Sequence, residues 1–206
     1  MISKGRLEAF SDGVFAIVIT LLAFDLRAPE HEAGVSLASA LWDKWPAYIA
    51  YVVGFIQIGV MWLNHHRIFQ QVREVDGVVL VLNLNLLLWV AVIPFPTSVV
   101  AAYLRDGGSD AATAMFFFSA VLLANAISFV ALYSWITHDE RIVGSLPERS
   151  VVRKARLRFG IGLGVYGLAV VLSLFVPVAV LALHGAMGLY YAFDQATVSN
   201  PAPADS

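Results

Sequence analysis

The chain has 206 residues, of which 59% are hydrophobic and only 14% are charged. With a mean hydropathy of +0.76, this apolar surface exceeds what one soluble core buries, so the composition predicts a membrane protein. The net charge of −2 leaves no broad basic surface, and we expect no nucleic-acid partner. The absence of cysteine excludes disulfides, thiolate metal sites and cysteine nucleophiles.

Apolar segments separated by polar connections predict an all-α membrane protein with six transmembrane helices. A bilayer core about 30 Å thick needs roughly 20 apolar residues per helix, and fewer where the helix ends are snorkelled. The predicted spans are 8–26, 46–69, 77–104, 111–137, 158–176 and 177–193. They make residues 1–193 one transmembrane domain, and the composition of residues 194–206 predicts a disordered tail.

Prolines and polar residues modify this pattern at three places. Pro94 and Pro96 predict a kink in the third span. Pro177 marks the break between the last two spans, with a single long tilted helix as the alternative. Residues 35–45 are too polar to cross the bilayer and are expected to lie as an amphipathic segment at its interface.

The distribution of Lys and Arg predicts the orientation. With six spans, about ten of the 13 cations fall on the side of the N-terminus, whereas Arg27, Lys44 and Arg105 fall on the other side. By the positive-inside rule we expect a multi-pass protein of the plasma membrane with both termini in the cytoplasm. A five-span arrangement would move only the C-terminus, so the charge count leaves it open.

Asp12 is a candidate for function because it lies about four residues inside the first span. An ionisable group at that depth is costly unless it is paired or hydrated. The alternative is that Ser11 and Asp12 cap the start of the helix. Arg6 is the nearest cation, but it lies about 120° from Asp12 around the helix, so a direct contact is not expected.

Polar side chains at two other helix ends are expected at the depth of Asp12. The second span ends with Trp62, Asn64, His65, His66 and Arg67, and the third begins with Asn83 and Asn85. A buried carboxylate needs donors, and these helix ends supply them. Adjacent histidines point about 100° apart and cannot chelate one ion together, so we expect no metal site and no cofactor. A structural hydrogen-bond network and a proton-sensitive gate both remain open.

One face of the first span repeats at helical spacing. It consists of Phe10, Gly13, Ile17, Thr20, Leu21 and Phe24. Asp12 lies about 140° from Ile17, so one face can contact partner helices while the other lines an axis. From periodicity alone, the stripe is equally compatible with a core or lipid-facing surface.

The segment RLEAFSD resembles R-x-x-x-F-S-D, the signature of the transmembrane protein 175 family of potassium channels. The matching residues are Arg6, Phe10, Ser11 and Asp12, and the segments WLNHHR and PFPT also look like bacterial members. The resemblance covers the whole order of spans. It implies a homotetramer of six-helix chains in which four first helices surround a central pore.

The resemblance also implies passive conduction of potassium ions across the lipid bilayer. The chain has no T-x-G-[YF]-G, so a carbonyl selectivity filter is not expected. Ile17 would form a hydrophobic gate that excludes ions by dewetting, Thr20 would be a neighbouring polar pore residue, and Leu21 and Phe24 would extend the constriction. The residues implied to anchor the pore helix without touching the ion are Arg6, Phe10, Ser11, Asp12, Trp62, His65, His66 and Asn85.

Two other classes of function remain open. A proton-conducting or proton-coupled transport protein would use Asp12 with His65 or His66 as a relay. An intramembrane enzyme would use the same groups as acid and base. The sequence offers no nucleophile or metal site for such an enzyme, so we do not expect one.

Overall fold

The computed structural model describes residues 3–31, 33–143 and 149–198. Within those ranges the chain is helical and contains no strand, which confirms the predicted all-α class. The helices are α1 (Lys4–Leu21), α2 (Leu37–Asp43), α3 (Trp45–Gln70), α4 (Gly77–Val92), α5 (Pro94–Tyr103), α6 (Gly108–Ile136), α7 (Glu140–Val143), α8 (Arg149–Leu172) and α9 (Pro177–Val198). A 3-10 turn over Leu22–Asp25 continues α1 directly.

Four segments in the described part of the chain are long and apolar enough to cross a bilayer. They are Lys4–Asp25, Trp45–Gln70, Gly77–Tyr103 and Gly108–Ile136. Helices α8 and α9 are apolar over the shorter stretches Phe159–Leu172 and Pro177–Phe193. The chain is therefore a multi-pass membrane protein, and its described residues include four helical segments of spanning length and two shorter apolar helices.

Prolines begin two of the helices. The third span is interrupted at Ile93, and Pro94 and Pro96 lie in the first turn of α5, where a missing backbone N–H leaves no helical bond unmade. Helix α9 begins at Pro177 and is a separate helix from α8, so the alternative of one long helix does not apply. The two helices run antiparallel. Tyr166 of α8 stacks on His184 of α9 with ring centroids 5.6 Å apart, while the earlier Gly162 lies beside the later Tyr191, whose hydroxyl would be 2.8 Å from a Cβ atom at Gly162.

The last helix extends further than the sequence predicted. A disordered tail was expected from residue 194, but α9 continues to Val198. Adding residues to an existing helix is far easier than nucleating a new one, which accounts for the extension. The rest of the predicted tail, residues 199–206, lies outside the described part of the chain.

Helices α3 and α6 form the centre of the bundle. Helix α3 contacts α1, α5 and α9, while α6 contacts α4, α5 and α8. Large side chains such as Phe69 of α3, Leu86 of α4 and Phe118 of α6 are fully buried in the core of the bundle. This arrangement leaves α1 at the side of the bundle, in contact with α3 and α4.

Each end of the bundle has its own polar contact between helices. We call the end that carries Lys4, Arg67, Arg73 and Arg141 the basic end. There Asp76 accepts a hydrogen bond from Trp135 Nε1 at 3.0 Å, which joins the start of α4 to the end of α6. At the opposite end, Arg105 after α5 pairs with Asp43 of α2 at 2.8 Å.

Helix α2 occupies the segment that was expected at the membrane interface. Ser36 caps it by accepting a hydrogen bond from Ser39 N at 3.2 Å. None of its residues is buried by the rest of the chain, and Trp42 is among the most exposed side chains. An exposed Trp at a helix of this kind is typical of residues that lie at the level of lipid headgroups.

Glycines allow α9 to approach α3 closely. A Cβ atom at Gly188 would lie 2.7 Å from Ile56 Cγ2, and one at Gly185 would lie 3.3 Å from Val53 Cγ2. Small residues bring membrane helices into close van der Waals contact. The α3–α9 interface therefore depends on the absence of side chains at these two positions.

Replacing Gly188 by Ala should destabilise the protein. The new methyl group must displace the β-branched Ile56 side chain, and overpacking of this kind costs about 1–3 kcal/mol. Thermal unfolding of the purified protein in detergent measures the effect. Gly164→Ala is the matched control, since a Cβ there meets no atom within 4 Å, and equal losses in the two variants would contradict the proposed close approach.

Candidate functional site

Helix α1 is attached to the bundle through one face. Leu7, Ser11, Phe15 and Val18 are buried, and Leu22 continues this face in the 3-10 turn. Steps of three and four residues place them along one side of the helix. Ser11 and Asp12 both lie inside α1, which begins at Lys4, so neither residue caps the helix.

A chain of hydrogen bonds joins Ser11 to two other helices. Ser11 Oγ donates to the Leu7 carbonyl at 2.9 Å and accepts from Asn83 Nδ2 at 3.1 Å. Asn83 Oδ1 lies 2.8 Å from His65 Nε2. Because the Asn83 oxygen can only accept, His65 Nε2 carries the proton in this arrangement. Ser11, Asn83 and His65 are all buried, so these hydrogen bonds satisfy polar groups that have no access to water.

Aromatic contacts fix the ring of His65. It stacks on Phe69 with ring centroids 4.3 Å apart and lies 5.5 Å from the ring of Phe15. Phe69 belongs to the same helix, whereas Phe15 belongs to the buried face of α1. The His65 ring therefore contacts α1 through both a hydrogen-bond chain and an aromatic neighbour.

The Asp12 side chain is exposed, although the sequence predicted a buried carboxylate at this position. Its Oδ1 accepts a hydrogen bond from Trp62 Nε1 at 2.9 Å. The next residue of a helix is rotated by about 100°, so the burial of Ser11 turns Asp12 to the edge of the contact with α3. Trp62 in turn stacks on His66, whose Nε2 lies 3.0 Å from Gln70 Nε2.

The other residues predicted for the anchoring network lie elsewhere. Asn85 Nδ2 donates to Ser128 Oγ of α6 at 2.7 Å. Asn85 follows Asn83 by two residues, so it projects from a different side of α4 and contacts α6 instead of α1. The Arg6 side chain is exposed and makes no hydrogen bond or ion pair with any described residue. Phe10 is exposed as well. The anchoring role of these three residues stays a prediction.

A second attachment of α1, which sequence reasoning missed, lies at its other end. Leu22 is fully buried and fits against Gly54 of α3, where a Cβ atom would lie 3.3 Å from Leu22 Cδ1. The same Cβ would lie 3.4 Å from Thr97 Oγ1 of α5. The glycine in the second span was the available signal, but its partner could not be known without the packing of α1 on α3.

The face that contains Ile17 is not covered by the chain. Its members are Phe10, Gly13, Ile17, Thr20, Leu21 and Phe24, and all of them are exposed. Ile17 has 61% of its surface exposed. The change to 3-10 geometry after Leu21 places residues three apart in eclipsed positions, so Phe24 continues the line of Leu21. The face is thus continuous along the helix and the following turn.

Thr20 is the one hydroxyl on this uncovered face. Its Oγ1 donates to the carbonyl of Ile17 at 2.7 Å. A hydroxyl that donates its proton keeps its oxygen lone pairs, which can accept a hydrogen bond from water or contact a cation. Among the described residues, no group of three His, Asp or Glu side chains forms a metal site.

Replacing Asn83 by Leu should weaken the attachment of α1. The substitution leaves Ser11 and His65 without their shared partner, and an unsatisfied buried polar group costs about 1–3 kcal/mol. Thermal unfolding in detergent should show the loss. Gln70→Leu is the control, because Gln70 is exposed and its replacement should change stability by less than about 0.5 kcal/mol. An Asn83→Leu protein as stable as the wild type would contradict the role of this chain of bonds.

Comparisons with known proteins show which family the chain resembles. The family described as "Endosomal/lysosomal potassium channel TMEM175" matches residues 6–94. A protein of Streptomyces collinus (strain DSM 40733 / Tue 365) named as a potassium channel is 43% identical over 199 residues, which cover 96% of each chain. The mouse protein named as the endosomal/lysosomal proton channel TMEM175 is 34% identical over 113 residues, which cover 51% of this chain and 23% of the mouse protein.

A solved structure matches the fold over nearly its full length. It is the crystal structure of a lysosomal potassium-selective channel TMEM175 homolog from Chamaesiphon minutus. The TM-score is 0.84 at 35% sequence identity, with 93% of this chain and 97% of that chain covered. The chain belongs to the TMEM175 family of ion channels, whose bacterial relatives are named as potassium channels.

Proposed function

We propose that the chain forms a potassium-permeable cation channel in which the α1 helices of four copies surround a central pore. The observation that carries this proposal is the division of α1 into two faces. One face is held by Ser11 and Leu22, while the opposite face, centred on Ile17, is left uncovered. Membership of an ion-channel family and the bacterial relatives named as potassium channels support the same reading.

In the proposed pore, selection and gating depend on side chains. Four Ile17 side chains form a narrow apolar ring that excludes ions by dewetting until it widens. The Thr20 hydroxyls, one helical turn further on, offer oxygen atoms to a partly dehydrated ion. Leu21 and Phe24 extend the constriction. The sequence contains no T-x-G-[YF]-G filter, so selection would depend on these side chains. Conduction would be passive, since the sequence contains no nucleotide-binding motif.

The attachments of α1 set the direction of Ile17. This residue lies six positions after Ser11 and five before Leu22, which corresponds to about 9 Å and 7.5 Å along the helix. A helix held on both sides of Ile17 resists rotation about its own axis. The hydrogen bond between Asp12 and Trp62 steadies the edge of the same contact. Arg6 and Phe10, both exposed, are proposed to face the neighbouring copy.

We further propose six spans in the plasma membrane, with both termini in the cytoplasm. The short apolar helices α8 and α9 would provide the fifth and sixth spans. The positions of Lys4, Arg67 and Arg73 at the basic end support a cytoplasmic location of that end. The proposed partners are potassium ions, lipid and three further copies of the chain, with no nucleic acid.

Ion flux into liposomes tests the gate. The reconstituted protein should pass K⁺ down its gradient, and Ile17→Asn should increase the leak several-fold because a polar ring stays wet. Ile161→Asn is the control, since Ile161 of α8 is 56% exposed but lies outside the proposed pore. Unchanged permeability of the Ile17 variant to K⁺, Na⁺ and H⁺ alike would contradict the constriction.

The rival function is proton conduction, which is supported by the mouse relative being named as a proton channel. The same liposomes distinguish the two functions when H⁺ flux is measured beside K⁺ flux. Asp12→Asn removes the titratable carboxylate on which a proton relay would depend. If this variant remains an intact oligomer that passes K⁺ but loses all H⁺ flux, the relay is supported for protons; if both fluxes persist, Asp12 has an anchoring role only.

Chemical crosslinking or native mass measurement tests the number of copies. The proposed pore requires four chains of 22.4 kDa each. We expect the largest crosslinked species, and the intact mass after subtraction of detergent and lipid, to correspond to four chains. Any other number of chains contradicts a pore formed by four α1 helices.

A further inference from the structure

A cavity of about 340 Å³ lies between α3, α6, α8 and α9. None of its described lining residues belongs to α1, so the cavity is separate from the proposed pore. Its wall on α3 is a stripe at helical spacing that runs from Gln57 through Met61 and Asn64 to Arg67 and Gln71. These 14 residue steps extend about 21 Å along the helix.

The middle of the cavity is mostly apolar. It is lined by Met61 of α3, Leu122 and Phe129 of α6 and Phe159 of α8, and Ala126 leaves space between them. Two asparagines also line the cavity, and both already have partners: Asn125 Nδ2 donates to the Leu86 carbonyl at 3.5 Å, and Asn64 makes an interaction of its own. Apolar walls of this kind are poorly suited to a column of water, which needs two to four polar partners for each molecule. The lining therefore favours an apolar occupant over most of its length.

The end of the cavity in the middle of α3 is closed by polar groups that already have partners. Gln57 Nε2 donates to the carbonyl of His184 at 2.7 Å, and Gln57 Oε1 accepts from the Tyr166 hydroxyl at 3.0 Å. The amide of Gln57 is thus bonded through both its nitrogen and its oxygen. This end does not require a polar ligand.

The other end of the cavity is positively charged. Arg67, which is half-buried in the last turn of α3, lines the cavity at the basic end of the bundle. The described lining contains no Asp or Glu. The helix dipole favours a cation at this position, but it does not account for the apolar space beside the guanidinium. Arg67 already makes an interaction within the protein, but a guanidinium has five N–H donors, so it can also bind an anion. A cation above an apolar slot is complementary to an anion that carries a hydrocarbon chain.

We propose that this cavity binds one acyl chain of an anionic phospholipid, with the lipid phosphate beside Arg67. One leaflet of the hydrocarbon core is about 15 Å deep, so an acyl chain entering at Arg67 ends near the level of Gln57. Guanidinium groups bind phosphate oxygens through paired hydrogen bonds. The volume is at the lower end of the range of about 300–1,000 Å³ for ligand sites, which suits one chain and not a whole lipid.

Lipid retention by the full-length purified protein tests the headgroup assignment. Phosphatidylglycerol and phosphatidylcholine are added in equal amounts, and bound lipid is measured by native mass spectrometry. The wild type should retain phosphatidylglycerol roughly tenfold more than phosphatidylcholine, and Arg67→Gln should abolish this preference. Arg73→Gln is the matched control, because Arg73 is an exposed arginine at the same end that does not line the cavity. Equal retention of the two lipids by the wild type, or an unchanged preference in Arg67→Gln, overturns the proposal.

A second pair of variants tests the cavity independently of Arg67. Ala126→Phe should fill the apolar slot and reduce phosphatidylglycerol retention, whereas Ile127→Phe, on an exposed position of the same helix, should leave it unchanged. Undiminished retention in Ala126→Phe overturns the proposal. Inorganic phosphate alone is the final probe, because protection from thermal unfolding equal to that of phosphatidylglycerol would mean a simple anion site without an acyl chain.

Discussion

The structure depends on one requirement, which is that polar groups buried between apolar helices must bond to each other. Ser11, Asn83 and His65 meet this requirement together, and in doing so they connect α1, α4 and α3. In a bilayer no water is available to take over such bonds. A rotation of α1 would separate Ser11 from Asn83, so the hydrogen-bond chain selects one rotational position of the helix.

That rotational position determines the face that α1 presents to its surroundings. With Ser11 turned inward, Ile17 is uncovered and Asp12 lies at the edge, in contact with Trp62. Leu22 secures the other end by shape, because it occupies the space that a side chain at Gly54 would take. The two attachments use different physics, hydrogen bonding at the start and van der Waals contact at the end. A helix held in both ways can place an apolar ring with little freedom to turn.

Helix α3 links the functional elements of the chain. One side of it contacts α1 through His65 and Gly54, and another contacts α9 through the close approach at Gly188. A third side lines the cavity that ends at Arg67. The anchor of the proposed pore helix and the proposed lipid site are therefore on the same helix, and a lipid bound in the cavity would stabilise the helix against which α1 is held.

The order of residues alone predicts the class of the protein, the positions of the apolar segments and the separation of Asp12 from Ile17 around α1. These properties are local, since hydropathy and the helical repeat depend only on the order of residues. The sequence also predicted that His65 and Asn83 lie at the same depth in the membrane. Three features could be known only from how the helices pack: Ser11 is the buried member of the pair Ser11–Asp12, Asn83 and not Asn85 faces α1, and Leu22 contacts Gly54. Those outcomes depend on how each helix is rotated against its neighbours, which is set by the packing of all the helices together.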